Sequence, residues 1–302
     1  MKSIRAGLGV FFAAISISYG WDPIGHMIVC QAAYDNLTPV AKQKVDASIA
    51  AFNQQEKASY TFVSAGCWMD DIRGRTKEYN TWHYVELPYT PEGTPLPDAS
   101  QPSVLYAIHL ATDILTGKTT RPGIDQNQAL VMLLHFVGDI HQPLHATAHN
   151  DSGGNKVVVP NIKDEIVDIM PARKNLHYFW DSAYRRVLKD DLAVNEYPEP
   201  PYMVEHPVEG HNGAAALVRE QTTRLEKTYQ AEKYPAGGTA EDWAKESHAL
   251  GYKYGYQTLP GGDAANPATL DKAYVDKARE ISEERLIQAG HRLADLLNEI
   301  YQ

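Results

Sequence analysis

The sequence predicts an all-α protein built as a single multi-helix domain, and three observations carry that expectation. Apolar residues recur at helical spacing, most clearly Ala278, Ile281, Leu286, Ala289, Leu293, Leu296 and Leu297 near the C-terminus, close to a single-face period. The unbroken apolar run 129–134 reads as a helix buried on most sides. Proline-rich stretches at 87–102, 197–207 and 259–267 separate the periodic segments without a shift in composition, so they read as surface loops and not as domain linkers.

In chain order, residues 1–20 have the pattern of a secretory signal peptide. Lys2 and Arg5 make a positive start, 6–17 is apolar, and Ser18-Tyr19-Gly20 supplies the cleavage region. The apolar part is too short for a membrane anchor, and no later stretch approaches the necessary length. The mature chain, 21–302, would begin at Trp21 and be secreted or periplasmic. Pro23 suits the first turn of a helix over 23–36. Further helices are expected at 38–52, 103–116, 125–142, 175–189, 211–232, 240–256 and 270–301. The helix over 125–142 stops because Pro143 cannot continue the ladder and pushes Gln142 out of the α region. Segments 156–159 and 162–169 alternate enough for a short β-hairpin. Asn36-Leu37-Thr38 matches a glycosylation sequon, which matters only in a eukaryote.

Charge limits how a polyanionic partner could be held. The chain has 28 Lys and Arg against 38 Asp and Glu; without Lys2 and Arg5 the balance is 26 against 38, or −12. No basic run marks a phosphate-backbone surface, so a polyanion would have to be held by something other than net charge, such as a bound cation. There are two cysteines, Cys30 and Cys67. In an exported chain an even pair is most simply a disulfide, which for a loop of this length contributes roughly 3–4 kcal/mol. A two-cysteine zinc site is the weaker alternative, since neither lies in a CxxC spacing.

The chemistry concentrates in 134–145. His135 and Asp139 are four residues apart and project from one helix face, and beyond Pro143 the chain can return His145 beside them. Alone, the pair serves equally well as a buried His–Asp hydrogen bond. The pattern recurs, however, in His177 and Asp181, again among large apolar residues. Burying such groups is costly unless something satisfies them, and Zn²⁺ takes both imidazole nitrogen and carboxylate oxygen. Asp70, His83 and His26 are further candidate ligands. So is the α-amino nitrogen of a freshly cleaved Trp21, whose pKa of about 8 makes it a metal donor.

These motifs together resemble the zinc-dependent, single-strand-specific nucleases of the S-one/P-one type, which share their fold with bacterial phosphatidylcholine-preferring phospholipase C. The carriers are Trp21 with His26, Trp68-Met69-Asp70, Trp82-His83-Tyr84, His135 through His145, Gly153-Gly154-Asn155, and Asn175-Leu176-His177 through Asp181, in order over nearly the whole mature chain. The resemblance implies an all-helical fold of the phospholipase C/nuclease type and three zinc ions. Asp70, His83, His135 and Asp139 would hold one zinc. His145, His177 and Asp181 would hold a second, and Trp21, His26 and a shared Asp139 a third. Three such ions against three carboxylates leave a local positive excess, which lets an acidic protein hold phosphate. Asp70, Asp139 and Arg73 would be the catalytic residues. Arg73 would neutralise the pentavalent state, and zinc-activated water would be the nucleophile. The implied substrates are single-stranded DNA and RNA, cut to 5′-nucleotides, and 3′-nucleotides.

Departures bear on the substrate. The family's base-stacking aromatic falls on Tyr84, and its base-binding carboxylate on Glu86, one methylene longer than the Asp of fungal members. Ser152 stands where an apolar residue precedes the Gly-Gly-Asn run, so Ser152 and Asn155 join Tyr84 and Glu86 as substrate-binding candidates. His141 and His149 read as solvent-facing or supporting residues. The cysteine pair resembles one in plant members. A phospholipase C acting on phosphatidylcholine-type lipids with the same zinc set is the rival enzyme; Tyr84 beside a carboxylate favours a stacked base over a choline headgroup. An exported zinc protein without catalysis is the remaining class, and it would need closed coordination.

Overall fold

The computed structural model describes residues 20–90, 96, 98, 100–159, 175–185, 207–230, 237–259 and 266–302. All of the expected leader but Gly20, and the second arm of the expected hairpin, 162–169, lie outside them. Eleven α-helices are described: α1 Pro23–Asp35, α2 Pro39–Glu56, α3 Phe62–Ala65, α4 Trp68–Asp71, α5 Val104–Leu115, α6 Gln126–Asp139, α7 Leu176–Asp181, α8 Pro207–Gly213, α9 Ala215–Thr228, α10 Ala240–Leu250 and α11 Lys272–Ile300. The all-α expectation holds. Among the described residues the only β-pairing is isolated bridges, and Val158 pairs with Asn175.

Local chemistry sets the helix ends. Asp22 accepts from the Gly25 amide and Pro23 occupies the first turn of α1. Asp125 and Gln128 form a capping box at the start of α6. Asn175 accepts from the Tyr178 amide at 2.8 Å to open α7. α6 ends at Asp139, three residues before the expected 142. There the His141 and Gln142 amides bond back to Gly138 and Asp139, each at 3.0 Å, tightening the turn ahead of Pro143. The helix expected over 211–232 is two, α8 and α9, parted at Ala214 after Gly213. The one expected over 240–256 changes at Gly251 into a π-turn, Gly251–Tyr256. A Cβ at Gly251 would fall 2.6 Å from the Pro143 carbonyl, so this residue lets the π-turn lie against the turn after α6.

The helices enclose two hydrophobic cores. The larger gathers α1, α2, α5, α6 and the second half of α11, with Trp21, Phe52 and Phe136 fully buried. The smaller gathers Leu176, Phe179 and Trp180 of α7, Leu144, and the first half of α11. α11 thus spans both. Cys30 and Cys67 correct the disulfide expectation. Both are buried and free, the Cys30 Sγ turned to the Leu134 carbonyl and the Cys67 Sγ to that of Pro23. Burial raises both thiol pKa values. No described helix is long and apolar enough to cross a membrane.

Candidate metal centre

His135 and Asp139 stand one turn apart on α6, both fully buried. The His135 Nδ1 donates to the Gly66 carbonyl at 2.7 Å, which fixes the tautomer and leaves the Nε2 lone pair aimed inward. That Nε2 lies 3.1 Å from Asp139 Oδ2 and 2.9 Å from the Nδ1 of His83. A 3₁₀ turn, Asn80–His83, delivers His83, whose Nδ1 is 2.9 Å from the same carboxylate oxygen. α4 supplies Asp70, its Oδ1 3.8 Å from His135 Nε2 and 3.9 Å from His83 Nδ1. Arg73 follows one turn later, its Nε 3.0 Å from Asp70 Oδ1 and 3.3 Å from His83 Nε2. His26, on α1, stacks on His135 with ring centroids 4.0 Å apart. Its Nε2 faces Asp139 Oδ1 at 3.4 Å and Asp70 Oδ2 at 3.9 Å.

A second group forms past Pro143. The 3₁₀ turn Pro143–His145 returns His145, whose Nδ1 donates to the His83 carbonyl at 2.6 Å. His177 and Asp181 occupy successive turns of α7, and the His177 Nδ1 donates to the Gly153 carbonyl at 2.6 Å. With both Nδ1 atoms protonated, the two Nε2 lone pairs face each other across 3.1 Å. Asp181 Oδ1 lies 3.6 Å from one and 4.0 Å from the other. Gly153 is required here, since at φ +63 a Cβ would meet the Leu144 carbonyl at 2.7 Å.

This donor set fits a metal. Opposed lone pairs repel unless a cation lies between them, and a tetrahedral zinc with bonds of about 2.1 Å spaces its donors roughly 3.4 Å apart. Both ring nitrogens of His26 and the Oδ1 of Asp139 are buried without a hydrogen-bond partner, a cost that a cation removes. Burial, reinforced by neighbouring imidazoles and Arg73, holds His26 and His83 well below the ordinary imidazole pKa, in the neutral donor form. Burial acts the same way on His135, but Asp139 and Asp70 outweigh it and raise that pKa. Burial raises Asp139 to about 6, and Asp181 well above its ordinary value.

The eight expected side-chain ligands all come together. Spatially they form His26, Asp70 and His135; His83, His135 and Asp139; and His145, His177 and Asp181. The last set matches its expected zinc, while the first two merge into one continuous cluster through His135. Trp21 is pinned beside it, its indole N–H donating to the Gly138 carbonyl at 2.9 Å and the Asp22 amide to that of Asp181 at 3.0 Å. Gly20 fits tightly against this cluster. A Cβ on it would fall 1.7 Å from Asp139 Oδ1 and 2.8 Å from His26 Nε2. Tyr84, Glu86, Ser152 and Asn155 line one cleft of about 140 Å³ with His145 and His177. A larger cavity, about 300 Å³, is lined by α10 and α11 residues and holds none of the ligands.

Sequence reading missed the supports. Gln142 is fully buried and donates to Asp181 Oδ1 at 2.6 Å; its place before Pro143 signalled only a helix end. The carbonyls of Gly66, His83 and Gly153 orient three imidazoles, and no side-chain identity announces a backbone acceptor. His141 is buried and does not face solvent: its Nδ1 donates to the Val137 carbonyl at 2.7 Å, and its Nε2 accepts from Arg292 at 3.0 Å.

The sequence model of the S1/P1 nuclease family matches residues 21–302. Endonuclease 2 of Arabidopsis thaliana is 28% identical over 304 residues, covering 97% of this chain and 94% of that protein. Nuclease S1 of Aspergillus oryzae is 26% identical, covering 95% and 93%. Nuclease P1 of Penicillium citrinum is 24% identical, covering 93% and 98%.

Proposed function

The chain belongs to the S1/P1 nuclease family, and we propose that it is an exported, tri-zinc phosphodiesterase that hydrolyses single-stranded DNA and RNA to 5′-nucleotides and also acts as a 3′-nucleotidase. One observation carries the metal part: the His145 and His177 Nε2 lone pairs opposed at 3.1 Å beside Asp181. Asp70, His83, His135 and Asp139 would hold one zinc, His145, His177 and Asp181 a second, and His26, Asp139 and a processed Trp21 a third. Bound there, zinc supplies Lewis acidity and lowers the pKa of a water from 15.7 to about 7.

The chain's own groups supply the rest. Tyr84 presents a half-buried ring to the cleft that His145 and His177 also line, and Glu86 an exposed carboxylate. A base stacked on Tyr84 would thereby bring its phosphate to the ligand cluster. Arg73 lies beside Asp70 and His83, where a guanidinium offsets charge that develops on phosphorus oxygens. Asp70, in turn, holds Arg73 at 3.0 Å.

The test is metal analysis of the mature protein together with rates on single-stranded DNA, RNA, a 3′-mononucleotide and phosphatidylcholine. The expected result is stoichiometric zinc with turnover of the nucleic acids and the mononucleotide. Turnover of phosphatidylcholine alone would replace this reading with the phospholipase one, and a zinc-free active protein would refute the metal assignment.

A further inference from the structure

Beside the cleft, the strand-like segment at Leu87 and Tyr89 runs along Ala148. The Ala148 amide donates to the Leu87 carbonyl, and the Tyr89 amide to that of Ala148, both at 3.0 Å. Ala148 lines the cleft, so Tyr89 and His149 emerge at its rim. There the His149 ring lies over Tyr89, centroids 4.4 Å apart and planes 38° apart. Tyr252 continues the stack at 4.5 Å and 34°. Tyr256 meets Tyr89 edge-on at 5.4 Å, and its hydroxyl is anchored on both oxygens of Asp151, at 3.0 and 2.9 Å.

The π-turn Gly251–Tyr256 is what brings Tyr252 and Tyr256 to this place. Among the described residues, Tyr89 and Tyr252 belong to neither hydrophobic core, although both are half-buried, and His149 is exposed. Core packing therefore does not account for the stack. Its rings, each tilted by 34–38° from the next, form a braced column that ends at the surface, contiguous with a cleft already containing one candidate base-stacking ring, Tyr84.

We propose that His149, Tyr89 and Tyr252 form a second base-stacking subsite, distinct from Tyr84, for an unpaired nucleotide flanking the scissile phosphodiester. The proposal rests on the nuclease reading and deepens it. Every base has a π-face, so such a subsite binds without regard to sequence. In a duplex those faces are covered by neighbouring bases, and stacking on His149 would require their separation. The column thus favours single strands by chemistry that the metal centre does not supply.

The experiment uses the zinc-loaded mature protein with a 3′-mononucleotide, a dinucleotide and a hexanucleotide of single-stranded DNA. KM for the wild type should fall from the dinucleotide to the hexanucleotide. Tyr89→Ala and His149→Ala should each raise the hexanucleotide KM by roughly tenfold relative to the mononucleotide KM, the scale of one lost base stack. Tyr89→Phe should behave as wild type. Fluorescence anisotropy with a phosphorothioate hexanucleotide, which resists cleavage, should show the same loss in Kd. His149 is exposed, so its variant does not endanger the fold. An unchanged KM ratio in both alanine variants overturns the subsite, as does a parallel rise for mononucleotide and hexanucleotide. A wild type inert on every nucleotide substrate overturns the nuclease reading, and the subsite with it.

Discussion

Asp139 is the residue on which the buried donors converge. Its Oδ2 meets His83 and His135 at 2.9 and 3.1 Å, while its Oδ1 faces His26 at 3.4 Å. Asp181 serves only the His145–His177 pair, and the Oδ1 that faces them also accepts from Gln142. Asp139→Asn should therefore cost more turnover than Asp181→Asn, by roughly tenfold or more, given that a supporting contact alone is worth about 10–100-fold. Rates compared at matched zinc occupancy check this, and equal losses would remove the bridging role from Asp139. At this scale His135, Asp139, His177 and Asp181 were legible because a spacing of four fixes two side chains on one helix face whatever the tertiary fold. Asp70 and His83 carry no such local rule. They sit on a four-residue helix and a single 3₁₀ turn, too short for any periodicity, so the residues alone named them as single candidates and only the family resemblance assigned them to a zinc.

Two elements position these residues, and each can be tested apart from the ligands. The turn that ends α6 inserts Gln142 between Asp181 and the Leu144 amide. Gln142→Ala should loosen zinc from the His145–His177–Asp181 group by roughly 10–100-fold. A competition titration with a chromogenic chelator measures that loss; unchanged affinity would make Gln142 a packing residue only. The second element is the crossing of α1 and α11. A Cβ at Gly290 would stand 2.5 Å from the Ala32 Cβ and 3.0 Å from the Val29 carbonyl, neither of which is the end of a flexible side chain. Gly290→Ala should cost about 1–3 kcal/mol as overpacking, seen as a lower Tm. A Tm equal to wild type would show that the helices separate freely. Most long helices were legible from their periodicity and caps, Asp125 with Gln128 being the clearest case. The π-turn after α10 was not. It depends on Gly251 packing against Pro143, more than a hundred residues earlier in the chain, a contact that leaves no local pattern.

At the scale of the molecule, the candidate ligands straddle the two cores. His26 and His135 belong to helices of the larger, and His177 and Asp181 to the α7 that packs in the smaller. Metal held across that seam adds its binding free energy to the association of the two cores. Chelation should therefore lower the Tm as well as abolish turnover. A Tm unmoved by EDTA, with metal removal verified by elemental analysis, would refute a structural role. Gly20 adds a consequence of another kind. It fits against Asp139 and His26, and in the uncleaved chain the Trp21 nitrogen is an amide whose electron pair is delocalised into the peptide bond. Two proteins differing only by one Met before Trp21 should then differ in zinc content and in rate on single-stranded DNA, the extended one slower by roughly 10²–10³. Equal zinc and equal rate would dismiss the N-terminal donor. On this account the precursor is latent. A cell making such a precursor would carry it past its own messenger RNA with the proposed third donor still locked in a peptide bond, and the peptidase that trimmed the leader would also arm it.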